Sequence, residues 1–128
     1  DQVKAITGGK GVNLVYDPVG GDVFDQSLRC LAWHGRLLVV GFTSGRIPQL
    51  SVNYALIKGL SIIGCRAGEF RRHDSEAGRL MQQDLLRLAN DGKLHPHVSH
   101  VLPFEQTIEA MQLVLDRKVV GKVVVTMG

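Results

Sequence analysis

The chain has 128 residues, a length that allows one domain with a hydrophobic core and is too short for two domains of ordinary size. Hydrophobic residues make up 45% and charged residues 21%, close to globular averages, so the composition argues against a disordered chain and against a membrane protein. The net charge of +3 is small and gives no electrostatic reason to expect a nucleic-acid partner.

The sequence contains few features that indicate a cellular compartment. No apolar run approaches the roughly 20 residues that span a bilayer, and the first residues do not resemble a signal peptide, so we expect no membrane partner and a cytoplasmic location. Cys30 and Cys65 are too few for a disulfide framework, and both lie in apolar surroundings. We therefore expect both thiols to be reduced and buried.

The chain opens with a helix and a strand. Gln2–Ile6 is typical of the last turns of a helix, closed by Gly8 and Gly9. Because this helix has no preceding turns, we expect the chain to begin inside a fold. Val12–Tyr16 then predicts a buried strand, and Asp17–Gly21 predicts its exit turn.

A second helix and strand follow. Asp22 is placed to cap a helix that ends near His34. Its predicted core face holds Phe24, Leu28, Leu31 and Ala32. Leu37–Val40 is apolar at every position and predicts a strand buried on both faces, followed by the loop Gly41–Gly45.

A third helix and strand complete the pattern. Asn53 is placed to cap a short helix that ends at Lys58, and Leu60–Cys65 predicts the third strand. Alternating strands and helices imply a parallel sheet, in which all strand exits lie at one edge. The three exits are Asp17–Gly21, Gly41–Gly45 and Cys65–Glu69. Since ligands of open α/β sheets bind at this edge, the exits form the candidate site.

The C-terminal part predicts two helices and two extended segments. Asp74 is placed to cap a helix with an apolar stripe that we expect to be core, formed by Ala77, Leu80, Met81, Leu85, Leu88 and Ala89. Val98–Leu102 predicts an extended segment. The next helix carries Phe104, Ile108, Met111 and Leu115 at helical spacing. Lys122–Thr126 predicts the last strand.

Other chemistry-bearing residues favour no separate active centre. His95, His97 and His100 alternate along one segment with no second group of ligands, so we expect no metal site. Asp17 is compatible with a general acid or base, a turn cap or a ribose contact. A basic cluster, Arg66, Arg71, Arg72 and His73, predicts a solvated loop or a loop that meets a ligand phosphate.

The phosphate-binding turn of dinucleotide-binding sheets, GxGxxG, follows none of the three strands. Their exits are DPVGGDVF, GFTSGRIP and GCRAGEFR instead. A serine elbow typical of hydrolases is also not found in the sequence. We therefore assign no catalytic residue.

Three segments in fixed order carry a family resemblance: VNLVYDPVGGDVFDQSLRCLAWHGRLLVVGFTSGRIPQL, LIKGLSIIGC and VLPFEQTIEAMQLVLDRKVVGKVVV. Together they resemble the C-terminal part of medium-chain dehydrogenase/reductases, most closely the zinc-free quinone oxidoreductase branch, which is zeta-crystallin-like. The resemblance implies an α/β fold in which residues 1–72 are the second half of a doubly wound parallel Rossmann sheet. Residues 73–128 would be a linking helix and a segment that returns to a GroES-like catalytic domain.

The resemblance also implies a function. The whole protein would be a zinc-independent NADPH-dependent oxidoreductase that transfers hydride to a small quinone or enone, and a homodimer joined through the edge strand Leu60–Gly64. Cofactor-binding positions carried over from the family are Val19, Gly20, Gly41, Phe42, Thr43, Ser44, Cys65, Arg66 and Ala67. Arg66 departs from the uncharged residue of many relatives, which leaves the shape of the substrate pocket open.

Two other functions stay open, and a consequence follows for the chain alone. The sequence is also compatible with a non-enzymatic binding or dimerisation module, or with another doubly wound enzyme such as a methyltransferase. Without a phosphate-binding turn, we expect the 128 residues alone to be inactive.

Overall fold

The structure is a computed structural model that describes residues 2–128; the side chain of Ala67 lies outside the description. The chain divides into two compact units, Asp1–Ser75 and Glu76–Gly128. The strands accordingly form two separate sheets, one with three strands and one with two. The domain boundary at residues 72 and 73, and the return of residues 73–128 to a catalytic domain, stay predictions.

The first unit alternates helices and strands. Its elements are α1 (Gln2–Ile6), β1 (Val12–Asp17), α2 (Gly21–Cys30), β2 (Leu31–Val39), α3 (Asn53–Lys58), β3 (Ser61–Gly64) and α4 (Ala67–His73). The strands form a three-stranded parallel sheet in the order β1-β2-β3. The predicted parallel sheet is thus confirmed, and its helical crossovers follow from the parallel pairing.

The core of this unit lies between the sheet and its helices. It consists of Phe24, Leu28, Leu31, Leu37 and Leu60. The Nζ atom of Lys58 donates hydrogen bonds to the carbonyl oxygens of Leu28 at 2.9 Å and Leu31 at 3.3 Å. These bonds satisfy two backbone acceptors at the C-terminal end of α2 with a side chain of α3.

The predicted end of α2 is wrong. The helix ends at Cys30, and Leu31 and Ala32 belong to β2. Val12 pairs with Leu31 and Leu14 pairs with Arg36, so β2 uses five residues where β1 uses two. His34, with φ 59°, lies in this bulge. The helical spacing of apolar residues continued past the true end because Leu31 is buried in the strand as well.

Two predicted caps are also wrong. The N-cap of α2 is Gly20, and that of α3 is Val52; neither makes a side-chain capping bond. Asp22 and Asn53 are already helical. The helix α3 ends at Lys58 as predicted, and its C-cap is Gly59, whose φ of 60° is the left-handed conformation that suits a helix C-terminus.

The sheet is less buried than predicted. Val15 packs against the core, but Leu14 and Tyr16 on the other face of the pleat are 47% and 64% exposed. On β2, Leu37 is fully buried, whereas its neighbours Leu38 and Val39 are partly exposed. One face of the sheet is therefore covered better than the other within the described residues.

The second unit is a two-stranded sheet with helices. Its elements are α5 (Ser75–Asn90), which begins at the division, β4 (Val98–Pro103), a 3₁₀ helix (Phe104–Gln106), α6 (Thr107–Leu115) and β5 (Lys122–Thr126). β4 and β5 pair in parallel. A Cβ on Gly121 would lie 2.3 Å from the carbonyl oxygen of His97, and φ is 79° there, so glycine is required where β5 begins.

The apolar stripe of α5, which was predicted to be core, is mostly exposed, so that prediction is wrong. Gly78 is the one buried residue of α5. On α6 the buried residue is Ala110, whereas Ile108 is 84% and Leu115 74% exposed. The spacing is helical as predicted, but the small residue Ala110 is buried while the larger side chains of Ile108, Met111 and Leu115 are exposed. Across residues 2–128, no helix combines the length and hydropathy that a bilayer crossing requires.

A candidate site at the strand exits

The ends of the three parallel strands lie level with one another. Asp17 of β1 is paired with Val39 of β2, and Val39 is paired with Gly64 of β3. The N–H of Val40 donates to the carbonyl of Asp17, and the N–H of Cys65 donates to that of Val39, both at 2.9 Å. The predicted convergence of the three exits at one sheet edge is confirmed.

Asp17 organises the first exit. Its side chain is only 2% exposed, and its Oδ1 atom accepts hydrogen bonds from the N–H groups of Val19 and Gly20, both at 2.9 Å. An aspartate that bonds N–H groups two and three residues ahead holds a tight turn. Of the three roles that the sequence left open, the geometry supports the turn cap.

The loop after β2, residues 41–46 and here called the β2 exit loop, lies on the first exit. The N–H of Thr43 donates to the carbonyl of Pro18 at 3.2 Å, and the N–H of Ser44 donates to that of Val19 at 3.0 Å. Backbone bonds thus join two loops that are distant in sequence. The loop conformation is set by the first exit as well as by its own glycines.

Two glycines of the first exit make this approach possible. Gly20 has φ 69° and ψ −155°, a conformation essentially restricted to glycine. A Cβ on Gly20 would lie 2.8 Å from Cδ1 of Phe42, and one on Gly21 would lie 2.7 Å from Oγ of Ser44. The DPVGG segment therefore requires both glycines for contact with the β2 exit loop.

The outer side of the β2 exit loop keeps polar groups free. Across residues 2–128, no acceptor takes a hydrogen bond from the N–H of Phe42 or the hydroxyl of Thr43. The Ser44 hydroxyl, in contrast, accepts a bond from the N–H of Arg46 at 3.3 Å. A free amide donor, a free hydroxyl and glycine backbone fit a ligand that carries amide and hydroxyl groups, such as a nicotinamide riboside.

The third exit differs from its prediction. Cys65 is an exposed free thiol and Cys30 a half-buried one, so the expected burial is wrong for Cys65. Arg66 is exposed and pairs at 3.3 Å with Glu69, which also pairs with Arg72 at 3.0 Å. The side chain of Ala67, the last predicted cofactor position, lies outside the described residues.

The basic cluster after β3 is a helix and not the predicted loop. Arg71, Arg72 and His73 form the last turn of α4, and Arg66 immediately precedes its first residue. Cations favour the C-terminal turn of a helix because the macrodipole is negative there.

Arg46 is a residue of the site that the sequence analysis missed. Its Nη2 atom lies 2.9 Å from Oδ1 of Asp22 and 2.5 Å from Oδ2 of Asp25, in the first turns of α2. Hydrogen bonding to Asp25, and then to Asp22, raises the pKa of Arg46. Asp22 and Asp25 lie three residues apart and share one helix face, but their spacing does not indicate which distant cation they bind.

The histidine segment gives no metal centre in the part of the chain that the structure describes. Across residues 2–128 no group of three or more His, Cys, Asp or Glu side chains is arranged to hold a metal ion. His100 instead lies with its Nδ1 atom 2.9 Å from the Ser99 hydroxyl.

Comparison with known proteins gives a consistent result. Residues 1–125 match a family described as zinc-binding dehydrogenase. A quinone oxidoreductase-like protein 2 homolog from Nematostella vectensis is 41% identical over 98% of this chain and 34% of its own length. An acryloyl-coenzyme A reductase from Sulfurisphaera tokodaii is 31% identical over 89% of this chain and 32% of its own length.

Among solved structures, a mycobacterial protein in complex with NADPH superposes with a TM-score of 0.80 at 30% identity. The match covers 98% of this chain and 39% of that protein. This chain therefore spans about a third of the length of the curated relatives it matches. The parallel sheet of the first unit belongs to a Rossmann-type nucleotide-binding fold.

Proposed function

Since the chain belongs to the zinc-binding dehydrogenase family, in the zeta-crystallin-like branch of the medium-chain dehydrogenase/reductases, we propose that the protein is an NADPH-dependent reductase of quinones or electron-poor enones. The family is one of oxidoreductases. The NADPH complex of the mycobacterial neighbour supports the choice of cofactor, and the acryloyl-coenzyme A reductase supports an electron-poor double bond as substrate.

One observation carries the proposal: three level strand exits with the β2 exit loop laid across the first. The free N–H of Phe42 and the hydroxyl of Thr43 would hold the nicotinamide amide and its ribose. Cys65 and Arg66 would border the nicotinamide from the third exit. When bound, the cofactor supplies the hydride; these residues orient one of its faces toward the substrate.

The proposal includes no metal and no acid or base from this chain. Asp17 has its Oδ1 atom engaged by two N–H groups and is buried, so it supports the turn and does not reach a substrate. Zinc independence follows the resemblance to the zinc-free branch. We further propose that the chain by itself has no reductase activity, since NADPH phosphates need a donor set that its strand exits do not supply.

A second part of the proposal concerns assembly. β3 is one of the two edge strands of the three-stranded sheet, and Ile62 and Ile63 on it are 36% and 41% exposed. An unpaired edge with apolar side chains favours pairing with another strand. We propose that two copies pair through this edge, at the segment Leu60–Gly64.

The test uses the protein expressed from its complete reading frame, assayed by loss of NADPH absorbance with a quinone and with an enone. Saturable oxidation with at least one of them is expected, and incubation with a zinc chelator should leave the rate unchanged. Binding of S-adenosylmethionine without NADPH would indicate a methyltransferase. Binding of neither would indicate a non-enzymatic module, and both results would refute the reductase.

A further inference from the structure

The β2 exit loop is held by backbone hydrogen bonds at both of its ends, and its second end is also held by ion pairs. At its start, backbone bonds tie Thr43 and Ser44 to the first exit. At its end, the carbonyl of Arg46 accepts a bond from the N–H of Gly21 at 3.1 Å, at the first residue of α2. The guanidinium of Arg46 also reaches the same helix, where it binds two carboxylates.

The arrangement uses Arg46 twice. The main chain of Arg46 satisfies one of the N–H groups that every helix leaves free at its N-terminus. Its side chain bridges Asp22 and Asp25, which lie three residues apart on one face of α2. Both carboxylates are bound by the same Nη2 atom, which lies at the end of the long arginine side chain. A lysine side chain is one atom shorter, so its ammonium group reaches the two carboxylates less well.

We propose that Arg46, clamped by Asp22 and Asp25, is a positioning residue that fixes the β2 exit loop for cofactor binding. The inference rests on the proposed function, because it concerns the site at which the nicotinamide is held. Arg46 contacts no reacting atom. It acts through the loop, by keeping the N–H of Phe42 and the hydroxyl of Thr43 where a ligand can use them.

The energetics predict an effect on the loop more than on the fold. The three side chains are 47% to 88% exposed, and exposed ion pairs contribute little to global stability. Loops, however, open locally at a much lower free energy than the whole domain. Loss of the clamp should therefore loosen residues 41–46 while the sheet beneath stays folded.

Two simpler roles for Arg46 predict that substituting Asp22 and Asp25 would have the opposite effect on cofactor affinity. If Arg46 attracted the anionic cofactor by charge, or touched it directly, removing its two carboxylate partners would tighten binding, because negative charge would be lost and the guanidinium freed. If Arg46 is a clamp, the same change weakens binding. The aspartate variants therefore separate the roles.

The experiment measures the NADPH dissociation constant by fluorescence titration of the protein from its complete reading frame. We expect Arg46→Gln, and the double variant Asp22→Asn with Asp25→Asn, each to weaken binding about three- to fivefold. Combining all three substitutions should weaken it no further, because one clamp is lost in each case. Arg46→Lys should fall between Arg46→Gln and the wild type.

Arg79→Gln is the matched control. The Arg79→Gln substitution also removes an exposed ion pair, the one between Arg79 and Glu76 at 2.6 Å. This pair lies on α5 and not at the β2 exit loop. The control should bind NADPH as the wild type does. At saturating NADPH, kcat of Arg46→Gln should change less than twofold, and its Tm should match that of the control.

A second readout needs no cofactor. Hydrogen exchange of residues 41–46 should be faster in Arg46→Gln than in Arg79→Gln, while β2 exchanges equally in both. Tighter NADPH binding by the aspartate variants, or equal NADPH binding by Arg46→Gln and Arg79→Gln, would contradict the positioning role of Arg46. Neither result would contradict the proposed reductase function. No saturable NADPH binding by the wild type would overturn both proposals.

Discussion

The β2 exit loop and α6 both carry exposed residues but differ in what fixes their positions. In the loop, Thr43, Ser44 and Arg46 each have a bonding partner in the first exit or in α2. On α6, Ile108 and Leu115 are 84% and 74% exposed, and Ala110 alone among that helix's described residues is buried. The loop is specified by partners inside its own unit. The apolar face of α6 is not, so sequence spacing alone could not show where that face would lie.

The largest expected effect compares a buried leucine of the first unit with an exposed one of the second. Leu37→Ala should cost about 3–5 kcal/mol in the free energy of unfolding, because a fully buried side chain leaves a cavity. Leu115→Ala should cost less than about 0.5 kcal/mol. Urea denaturation of the protein from its complete reading frame measures both. A large loss of unfolding free energy in Leu115→Ala would show that α6 is covered in the intact protein. The β2 exit loop and α6 would then no longer differ in this respect.

The next effect concerns the contact between the first exit and the loop. Gly20→Ala should cost about 2–3 kcal/mol, since the backbone conformation is strained for alanine and the new Cβ meets Phe42. Gly45→Ala is the control: φ is 82°, but nothing lies within 4 Å of its Cβ. Gly45→Ala should lower the free energy of unfolding by about 1 kcal/mol, which is the cost of placing an alanine in the left-handed conformation. Equal unfolding midpoints in urea would mean that the two loops do not touch.

A smaller effect is expected at the turn cap. Asp17→Ala removes the acceptor of two N–H groups and should cost about 1–2 kcal/mol. Asp17→Asn keeps an oxygen at the same place and should cost less than half as much. Thermal unfolding measures both, together with NADPH oxidation. If Asp17→Asn abolished turnover while the protein stayed folded, Asp17 would be a general acid or base and not only a turn cap.

The smallest effect lies in the second unit. Hydrogen bonds from Gln112 at 2.8 Å, and then from Lys118, lower the pKa of Asp116. Since the native pKa lies below the unfolded one, the interaction stabilises the fold above the ordinary carboxyl range and is lost as pH falls through the native pKa. Gln112→Ala should raise this pKa, as measured by carboxyl NMR titration. Gln106→Ala should leave it unchanged; an equal shift in both variants would exclude the hydrogen bond as its cause.

Local patterns predicted the order of elements well. Glycines after α1 and α3 mark real helix ends, and the bounds of α1 and β5 agree with their predicted segments. Boundaries failed where one residue suits two structures. Leu31 fits the apolar face of a helix and is equally buried in a strand, and only its pairing with Val12 decides between them.

The candidate site was predictable only in part for the same reason. The three exits follow from the alternation of strands and helices, because parallel strands all end at one edge. The clamp of Arg46 joins residues 21 and 24 positions apart in the chain, and no local spacing indicates such a bond. The cofactor positions carried over from the family stay predictions.

The sequence by itself determined the family, the parallel sheet and the edge at which its loops gather, because periodicity, glycine positions and motif order are local properties of a chain. Only the tertiary structure decided which residues those loops contact and bind. It made Asp17 a turn cap, joined Arg46 to α2 and turned the large side chains of α6 outward. Each of these depends on which distant groups meet, and such meetings are set by packing and by long-range hydrogen bonds.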